Sequence, residues 1–311
     1  MAIPLMGPAE LCAATVRGTV LLRDSFDGPD DTTDLTGQPH DVHLNSDLSA
    51  RQAGSLLGAV PYRLDVGGGN SPQYRNPYLS SNRLVMKGGS LNHSLNRSQI
   101  IAPNHDFVDP AITTARGFVI EFTVNPTSGN TSTDWFAVSL GHTQSSVANA
   151  ASYHPEVTDP VADFGILFRG NGGFSTFGDG TFNGGGGSYA SGHGAADFFD
   201  IRVEVETASF APGETVTLRT FVNNQQLDMG PDPGNELTFL WDGDGSNYIS
   251  LESRREPSLF DNLAISTIPE PSTFILLTVG AVGLLARSYR QRRKRFRRAM
   301  IIRPFLAWRT K

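Results

Sequence analysis

The stretch "FDIRVEVE", residues 199–206, alternates apolar and polar side chains along its length. Ile201, Val203 and Val205 occupy every second position, and charged residues stand between them. Because successive side chains of a β-strand point to opposite faces, the pattern predicts a strand with one buried face and one wet face.

Similar short runs recur on both sides of this strand, separated by clusters of Gly, Pro, Asn and Asp that predict turns. The chain holds 33 Gly and 19 Pro in 311 residues, and its body lacks a convincing amphipathic helix. The sequence therefore predicts an all-β protein built as an antiparallel sandwich. The other predicted strands are 20–26, 83–87, 117–124, 135–140, 164–169, 215–222, 236–241, 247–252 and 259–266.

The body, residues 19–267, resembles a concanavalin A-like (laminin-G-type) jelly roll. The resemblance rests on an opening strand, "LLRDSFDG", and on closing stretches that end in "SLFDNLAIS". In that family the last strand carries an Asp-Asn-Leu segment and pairs close to the first, and Asp261-Asn262-Leu263 fits that place. The fold hosts lectins, glucanases and adhesion modules, so the resemblance by itself does not fix a function. The other closing stretches are "DFFDIRVEVET" (197–207), "VTLRTFVNNQQLD" (216–228) and "NYISLES" (247–253).

Charge divides the chain into two unlike parts. Residues 287–311 contain 11 of the 25 basic side chains and no acidic one. The first 286 residues therefore hold 14 basic side chains against all 31 acidic ones. A body this acidic argues against nucleic acid as its partner, because binding to phosphates requires Lys and Arg.

The apolar run from Phe274 to Ala286 lies directly before this basic block. A helix of 13 residues spans about 20 Å at ~1.5 Å per residue, which is short of the ~30 Å hydrocarbon core. Counted from Ile268 the segment reaches 19 residues, about 28 Å as a helix. The dense basic flank is typical of a membrane helix whose charged end stays on the cytoplasmic side. We therefore expect one C-terminal transmembrane helix with a basic tail.

This tail resembles the PEP-CTERM sorting signal of exported bacterial proteins, which combines a Pro-Glu-Pro motif, an apolar helix and an Arg-rich block. The resemblance implies that an exosortase in the membrane recognises Pro269, Glu270 and Pro271. It also implies delivery of the body to the cell surface or extracellular matrix, often alongside exopolysaccharide. The basic residues expected to flank the membrane are Arg287, Arg290, Arg292, Arg293, Lys294 and Arg295.

These features predict four segments. Residues 1–18 are a leader or the remnant of a truncated signal, since Pro4, Pro8 and Glu10 interrupt the apolar stretch that a secretory signal needs. Residues 19–267 form the jelly-roll domain, 268–298 the sorting signal, and 299–311 a C-terminal extension. The single cysteine, Cys12, allows no disulfide within the chain.

Catalytic residues are not predicted. Related glucanases use a Glu-x-Asp-x-Glu strand, and the nearest sequence here, Glu204-Val205-Glu206, lacks the central Asp and shares its face with Arg202. A solvated strand face explains that pair more simply than a glycosidase site, which needs two carboxylates across a sugar.

Two weaker candidates concern ligands. In "WDGDGSNY", residues 241–248, the side chains of Asp242, Asp244 and Asn247 offer oxygen atoms for calcium, although an Asp-Gly turn accounts for the same residues. Trp135 and Trp241 are candidates for stacking on a sugar ring, with a place in the core as the alternative.

Taken together, the sequence predicts an exported surface or matrix protein without enzymatic activity. Its jelly-roll domain would bind polysaccharide or serve as a structural module, with exosortase as the processing partner. The alternatives are a glucanase or lyase on the same fold and a passive spacer without a ligand.

Overall fold

The computed structural model describes residues 18–28, 44–65, 77–86, 98–126, 134–143, 162–178, 185–190, 197–230, 235–241, 245–254 and 258–269. Within them, residues 18–268 form one compact unit. In chain order, the helices and strands of the described residues are β1 (Val20–Asp24), α1 (Leu48–Arg51), β2 (Tyr62–Asp65), β3 (Tyr78–Leu79), β4 (Leu84–Met86), β5 (Ser98–Pro103), α2 (Pro110–Ala115), β6 (Gly117–Asn125), β7 (Trp135–His142), β8 (Phe164–Arg169), β9 (Gly173–Gly178), β10 (Gly186–Ser188), β11 (Phe199–Thr207), β12 (Thr215–Val222), β13 (Gln225–Gln226), β14 (Leu237–Leu240), β15 (Tyr248–Arg254) and β16 (Ser258–Thr267).

The described strands form two sheets, and their pairings are all antiparallel. The nine-stranded sheet runs β13-β12-β11-β6-β16-β4-β3, with β1 beside β16 and β14 beside β12. The seven-stranded sheet runs β10-β9-β8-β7-β15-β5-β2. The predicted antiparallel sandwich is confirmed, and the first strand pairs with the last, as the jelly-roll resemblance implies.

Aromatic side chains from both sheets meet between the two layers. Phe122 on β6 and Phe260 on β16 approach Phe136 on β7 with ring centroids 6.4 and 6.0 Å away. Phe136 also stacks on Phe168 of β8 at 4.8 Å. All four rings are buried, so this cluster stabilises the packing of the nine-stranded sheet on the seven-stranded sheet.

A buried polar network around Asp24 connects β1 to the segment that leads into β2. The Asp24 carboxylate accepts hydrogen bonds from Arg51 Nη2 at 3.0 Å, Gln52 Nε2 at 3.2 Å and the Tyr62 hydroxyl at 3.0 Å. It also accepts one from the backbone N–H of Phe26 at 2.8 Å. Burial, and next the nearby charge of Asp24, hold the pKa of Tyr62 well above its usual value. Since β1 and β2 belong to different sheets, the network helps to hold the two layers together.

The Asp-Asn-Leu segment near the C-terminus is a β-bulge in β16. The register between β16 and β6 shifts between Asp261 and Ala264, and Asn262 has a φ of 54°. The Asp261 carboxylate accepts the Asn262 backbone N–H at 2.8 Å. Leu263 then returns to the core. The motif therefore lies between the part of β16 that pairs with β4 (258–260) and the part that pairs with β1 (263–266).

Candidate functional site

A buried carboxyl group lies on the outer face of the seven-stranded sheet, by which we mean the face turned away from the nine-stranded sheet. Glu252 on β15 is 2% exposed. Its Oε1 accepts hydrogen bonds from Ser139 Oγ on β7 at 2.8 Å and from Ser250 Oγ at 3.2 Å. His142 Nε2 lies 3.0 Å from Ser250 Oγ and extends the chain of polar contacts. We call Glu252, Ser139, Ser250 and His142 the Glu252 cluster.

Strand register explains why these side chains meet. Ser250 pairs with Ser139, and Glu252 pairs with Ala137, so their side chains share one face of the sheet. The intervening residue Leu251 belongs to the core on the other face. The two hydroxyl groups thus reach the carboxyl group from the neighbouring strand and from two residues back on its own strand.

Burial raises the pKa of the Glu252 carboxyl to about 7, and the hydrogen bonds from Ser139 and Ser250 only partly oppose that rise. A carboxyl group with such a pKa exchanges its proton near neutral pH. It can therefore accept a hydrogen bond from a ligand hydroxyl group, or take part in proton transfer.

An apolar and aromatic area adjoins the Glu252 cluster on the same face. Trp135, Ala137 and Leu167 form a buried group against which Phe177 packs. Gly165 on β8 lies under the Phe177 ring, since a Cβ atom there would stand 2.0 Å from Phe177 Cζ. The glycine thus allows the ring of a β9 residue to cross β8.

Arginines border Trp135 on both neighbouring strands. Trp135 pairs with Arg169 of β8 on one side and with Arg254 of β15 on the other. Arg169 Nη2 donates to Ser175 Oγ at 3.3 Å, and Arg254 is buried. The outer face therefore combines hydroxyl, carboxyl, guanidinium and aromatic groups within four adjacent strands.

Sequence reasoning missed the Glu252 cluster, although a signal was present. In "NYISLES" the core residues Ile249 and Leu251 alternate with Tyr248, Ser250 and Glu252. A Glu on the polar side of an alternating strand is predicted to be exposed to solvent. Its burial depends on residues elsewhere in the chain, which the local pattern does not reveal.

The stacking role predicted for the two tryptophans needs correction. Trp135 is 1% and Trp241 2% exposed, so neither indole presents a face to a sugar ring in this conformation. Trp241 packs against Phe210 and Phe239 in the core and donates its indole N–H to Thr207 Oγ1 at 3.1 Å. The core alternative describes Trp241, whereas Trp135 is buried on the outer face of the seven-stranded sheet with Ala137 and Leu167.

The calcium prediction is partly outside the described residues, which do not include Asp242 and Asp244. Asn247 Oδ1 accepts the Gly141 backbone N–H at 3.0 Å, and the Asn247 backbone N–H donates to Asp106 Oδ1 at 2.7 Å. Its buried Nδ2, a donor and no ligand for a cation, lacks a hydrogen-bond partner. In the described part of the chain, groups of three or more His, Cys, Asp or Glu side chains suited to a metal are not found. The hydrogen bonds of Asn247 therefore connect its loop to Gly141 and Asp106, which fits a structural role better than that of a calcium ligand.

Glu204 and Glu206 lie on the nine-stranded sheet and form ion pairs. Glu204 contacts Arg202, and Glu206 contacts Arg219, whose Nε also donates to Glu236 Oε1 at 2.6 Å. These pairs lie on partly exposed side chains. They form the solvated strand face that the sequence favoured over a glycosidase site.

The predicted sorting residues fall almost wholly outside the described residues. Pro269 is the last one described, two residues after β16 ends. Glu270, Pro271, the predicted helix, the basic flank and the extension 299–311 lie beyond it. A search of the described residues for a helix long and apolar enough to cross a membrane finds none.

Comparison with known proteins identifies a sorting motif at the C-terminus. The family model for the PEP-CTERM protein-sorting motif matches residues 267–293. A search of curated proteins finds no significant match.

Among solved structures, the chain is similar to the Emp46p carbohydrate recognition domain, with 10% identity, a TM-score of 0.44, and coverage of 67% of this chain and 88% of that one. A galectin-like protein of unknown function from Bacillus subtilis has 9% identity, a TM-score of 0.41, and coverage of 81% and 97%. An alginate lyase from Pseudomonas aeruginosa has 12% identity, a TM-score of 0.39, and coverage of 67% and 98%. Likenesses this distant do not assign an activity or a ligand.

The chain therefore consists of an antiparallel β-sandwich followed by a PEP-CTERM protein-sorting motif, the signal of exported proteins that exosortase processes.

Proposed function

We propose that the chain is a cell-surface or extracellular-matrix protein whose sandwich domain binds carbohydrate after exosortase has processed its C-terminus. The observation that carries the proposal is the PEP-CTERM motif, whose match starts at Thr267, the last residue of β16. The sorting signal thus directly follows the last strand of the folded body, where cleavage would leave the β-sandwich intact.

Membrane contact before processing belongs to the same proposal. The apolar run Phe274–Ala286 would insert as a helix, with Arg287 and the basic residues after it on the cytoplasmic side. Anionic lipid would attract that block and would repel the rest of the chain, because the first 286 residues hold 31 acidic side chains against 14 basic ones. Membrane attachment would therefore depend on the tail alone.

Carbohydrate binding is supported by the chemistry of the outer face. Sugars offer hydroxyl groups that donate and accept hydrogen bonds, and apolar ring faces that pack on aromatic side chains. The Glu252 cluster supplies polar partners, and Phe177 supplies an adjoining aromatic ring.

A binding screen tests the proposal. The intact chain in detergent micelles would be screened against neutral and acidic polysaccharides, first with calcium and then with EDTA. Binding that survives EDTA supports the proposal without calcium, and binding lost in EDTA assigns calcium a role, with Asp242 and Asp244 as the first residues to substitute. A folded chain that binds no polysaccharide would refute carbohydrate binding and leave a structural spacer.

A glycan-active enzyme is the second candidate, and Glu252 is the observation that favours it. A carboxyl group that titrates near pH 7 suits general acid–base catalysis. Hydrolysis with two carboxylates would need a second one across the sugar, and the Glu204–Glu206 pair lies on the other sheet. Release of reducing ends or unsaturated sugars from the polysaccharide that binds would establish this candidate; intact polysaccharide after long incubation would eliminate it.

A further inference from the structure

Two large hydrophobic side chains are exposed in the described part of the chain, Leu56 at 65% and Leu240 at 44%. Leu56 lies in residues 53–61, between α1 and β2, which we call the Leu56 loop. The sequence of this loop, "AGSLLGAVP", contains no charged residue, and Ala53, Gly58 and Ala59 are exposed as well. A single exposed Leu is ordinary on a protein surface, so its surroundings decide whether it has a use.

Hydrogen bonds hold the Leu56 loop against β1. The Leu56 backbone N–H donates to the Val20 carbonyl oxygen at 3.1 Å. The Ser55 hydroxyl donates to the Arg23 carbonyl oxygen at 3.3 Å and accepts the Arg23 backbone N–H at 2.9 Å. The loop therefore presents Leu56 to solvent in a fixed conformation, and binding through it would order little further backbone.

The Leu56 loop lies close to the point where the last strand ends. Val20, which receives the Leu56 N–H, pairs with Ser266 of β16. With about 4.8 Å between neighbouring strands, the backbones of Leu56 and Ser266 are about 10 Å apart. Leu240 lies on β14, which β12, β11 and β6 separate from β16. The same spacing places it about 19 Å from that strand.

A short connection links this end of the body to the apolar run that would insert into the membrane. Four residues, 270–273, separate Pro269 from Phe274. Five extended steps along the chain span at most about 18 Å, so the end of β16 stays close to the bilayer. Such a tether gives a high effective concentration, and a contact that is weak by itself is then populated.

The chemistry of the Leu56 loop fits a lipid surface. The Leu56 side chain gains free energy by leaving water, and the loop lacks the carboxylates that anionic headgroups would repel. Arg23 is exposed beside the loop, and its Nη1 lies 3.9 Å from the place that a Cβ atom on Gly54 would take. A guanidinium group there can donate hydrogen bonds to a lipid phosphate.

We propose that the Leu56 loop contacts the bilayer while the tail is attached, with Leu56 in the interfacial layer and Arg23 at the headgroups. The inference rests on membrane insertion of the tail, which belongs to the proposed function, and adds a second contact on the body. This contact keeps the residues around Pro269 at the membrane surface, where exosortase acts in that function. Removal of the tail ends the tethering, so the weak contact no longer retains the body.

Fluorescence of the full chain in vesicles tests the proposal. A Cys12→Ser/Leu56→Cys variant, labelled with an environment-sensitive dye, is reconstituted in vesicles of equal parts phosphatidylethanolamine and phosphatidylglycerol, and flotation shows that the chain is bound. We expect the emission to shift to the blue and to be quenched by spin-labelled lipid. The matched control, Cys12→Ser/Leu240→Cys, carries the dye at the other exposed Leu and should show neither effect. Adding Ala59→Asp, which places a carboxylate in the loop, should abolish the quenching at position 56.

The outcomes separate this proposal from the proposed function. Chains that float with the vesicles but are quenched at neither position, or equally at both, would overturn the contact and leave anchoring by the tail in place. Chains that do not float would overturn the contact together with membrane insertion. A blue shift at position 56 without quenching would replace lipid by a second copy of the chain. Quenching that Arg23→Gln leaves unchanged would remove Arg23 from the contact.

Discussion

Replacing Glu252 by Gln should make the body more stable at alkaline pH, because the substitution removes a charge that the fold buries. Burial raises the pKa of Glu252 from its ordinary value of 4.5 to about 7. The folded state therefore holds a proton that the unfolded state has already lost between these pH values. Since the folded pKa is the higher one, stability is greatest below about pH 4.5 and falls as pH rises towards 7.

The magnitude follows from the two pKa values. Each pKa unit corresponds to about 1.36 kcal/mol. Above pH 7, burial of the charged carboxylate therefore lowers the free energy of unfolding by about 3 kcal/mol. From pH 5 to pH 8.5, the free energy of unfolding of the native chain should fall by about 2.5 kcal/mol more than that of Glu252→Gln. The comparison of two pH values cancels any constant difference that the amide group causes in hydrogen bonding.

Urea unfolding of both chains at pH 5 and pH 8.5, followed by tryptophan fluorescence, measures this difference. With an m-value of about 2–3 kcal/mol/M, the midpoint gap should change by about 1 M. Glu121→Gln, at an exposed position, should leave stability within about 0.5 kcal/mol at both pH values. Parallel pH profiles of the native chain and Glu252→Gln would refute the reasoning, because they would mean that Glu252 titrates at its ordinary pKa.

Two further predictions concern stability. Asp24→Asn leaves the buried Arg51 guanidinium without its countercharge and should lower the free energy of unfolding by about 3–5 kcal/mol. The Asp24→Asn/Arg51→Met double variant should lose clearly less stability than the two single variants added together. Additive shifts of the urea midpoint would argue against a coupled pair. Asn262 has a φ of 54° in the bulge of β16, a backbone conformation that Gly adopts freely and a β-branched residue does not. Asn262→Gly should therefore be tolerated, while Asn262→Val should lower the free energy of unfolding by about 1–2 kcal/mol. Equal melting temperatures for the two variants would contradict the strain argument.

The sequence predicted the fold well because the sandwich depends on local patterns. Each of the ten predicted strands overlaps a strand of the structure, and two of them, 164–169 and 215–222, match its bounds. The alternation in 199–206 is reproduced by β11, whose apolar residues are buried. These strands have regular patterns because one face of each packs on the core.

Among the strands that the sequence missed, β10 and β13 lack side chains that signal a strand. β10 consists of Gly186, Gly187 and Ser188, and β13 of two glutamines. Their extended conformation depends on pairing with the preceding strands, β9 and β12, rather than on strand-forming side chains of their own.

The candidate site was missed for a related reason. Ser139, Ser250 and Glu252 lie on two strands far apart along the chain, and only the register of β7 with β15 brings them together. The tryptophans gave the opposite difficulty: a Trp in a strand has the same local signal whether it faces a ligand or the core. Burial decided between these alternatives, and burial depends on the whole fold.

The sorting motif behaves differently from the rest of the chain, because a contiguous sequence that an enzyme reads needs no tertiary structure to be recognised. The motif predicted from Pro269, Glu270 and Pro271 is confirmed by the family model over residues 267–293. In the function proposed for the chain, exosortase removes this tail before the body reaches the cell surface.

The most direct test of the account is the mass of the mature protein. The chain would be produced in bacterial cells with and without an exosortase, and each product would be weighed by intact-protein mass spectrometry, with a Pro269→Ala/Glu270→Ala/Pro271→Ala variant as the control. The account predicts a product that lacks the Arg-rich tail only when exosortase is present and the motif is intact. A full-length, membrane-held product under both conditions would contradict it.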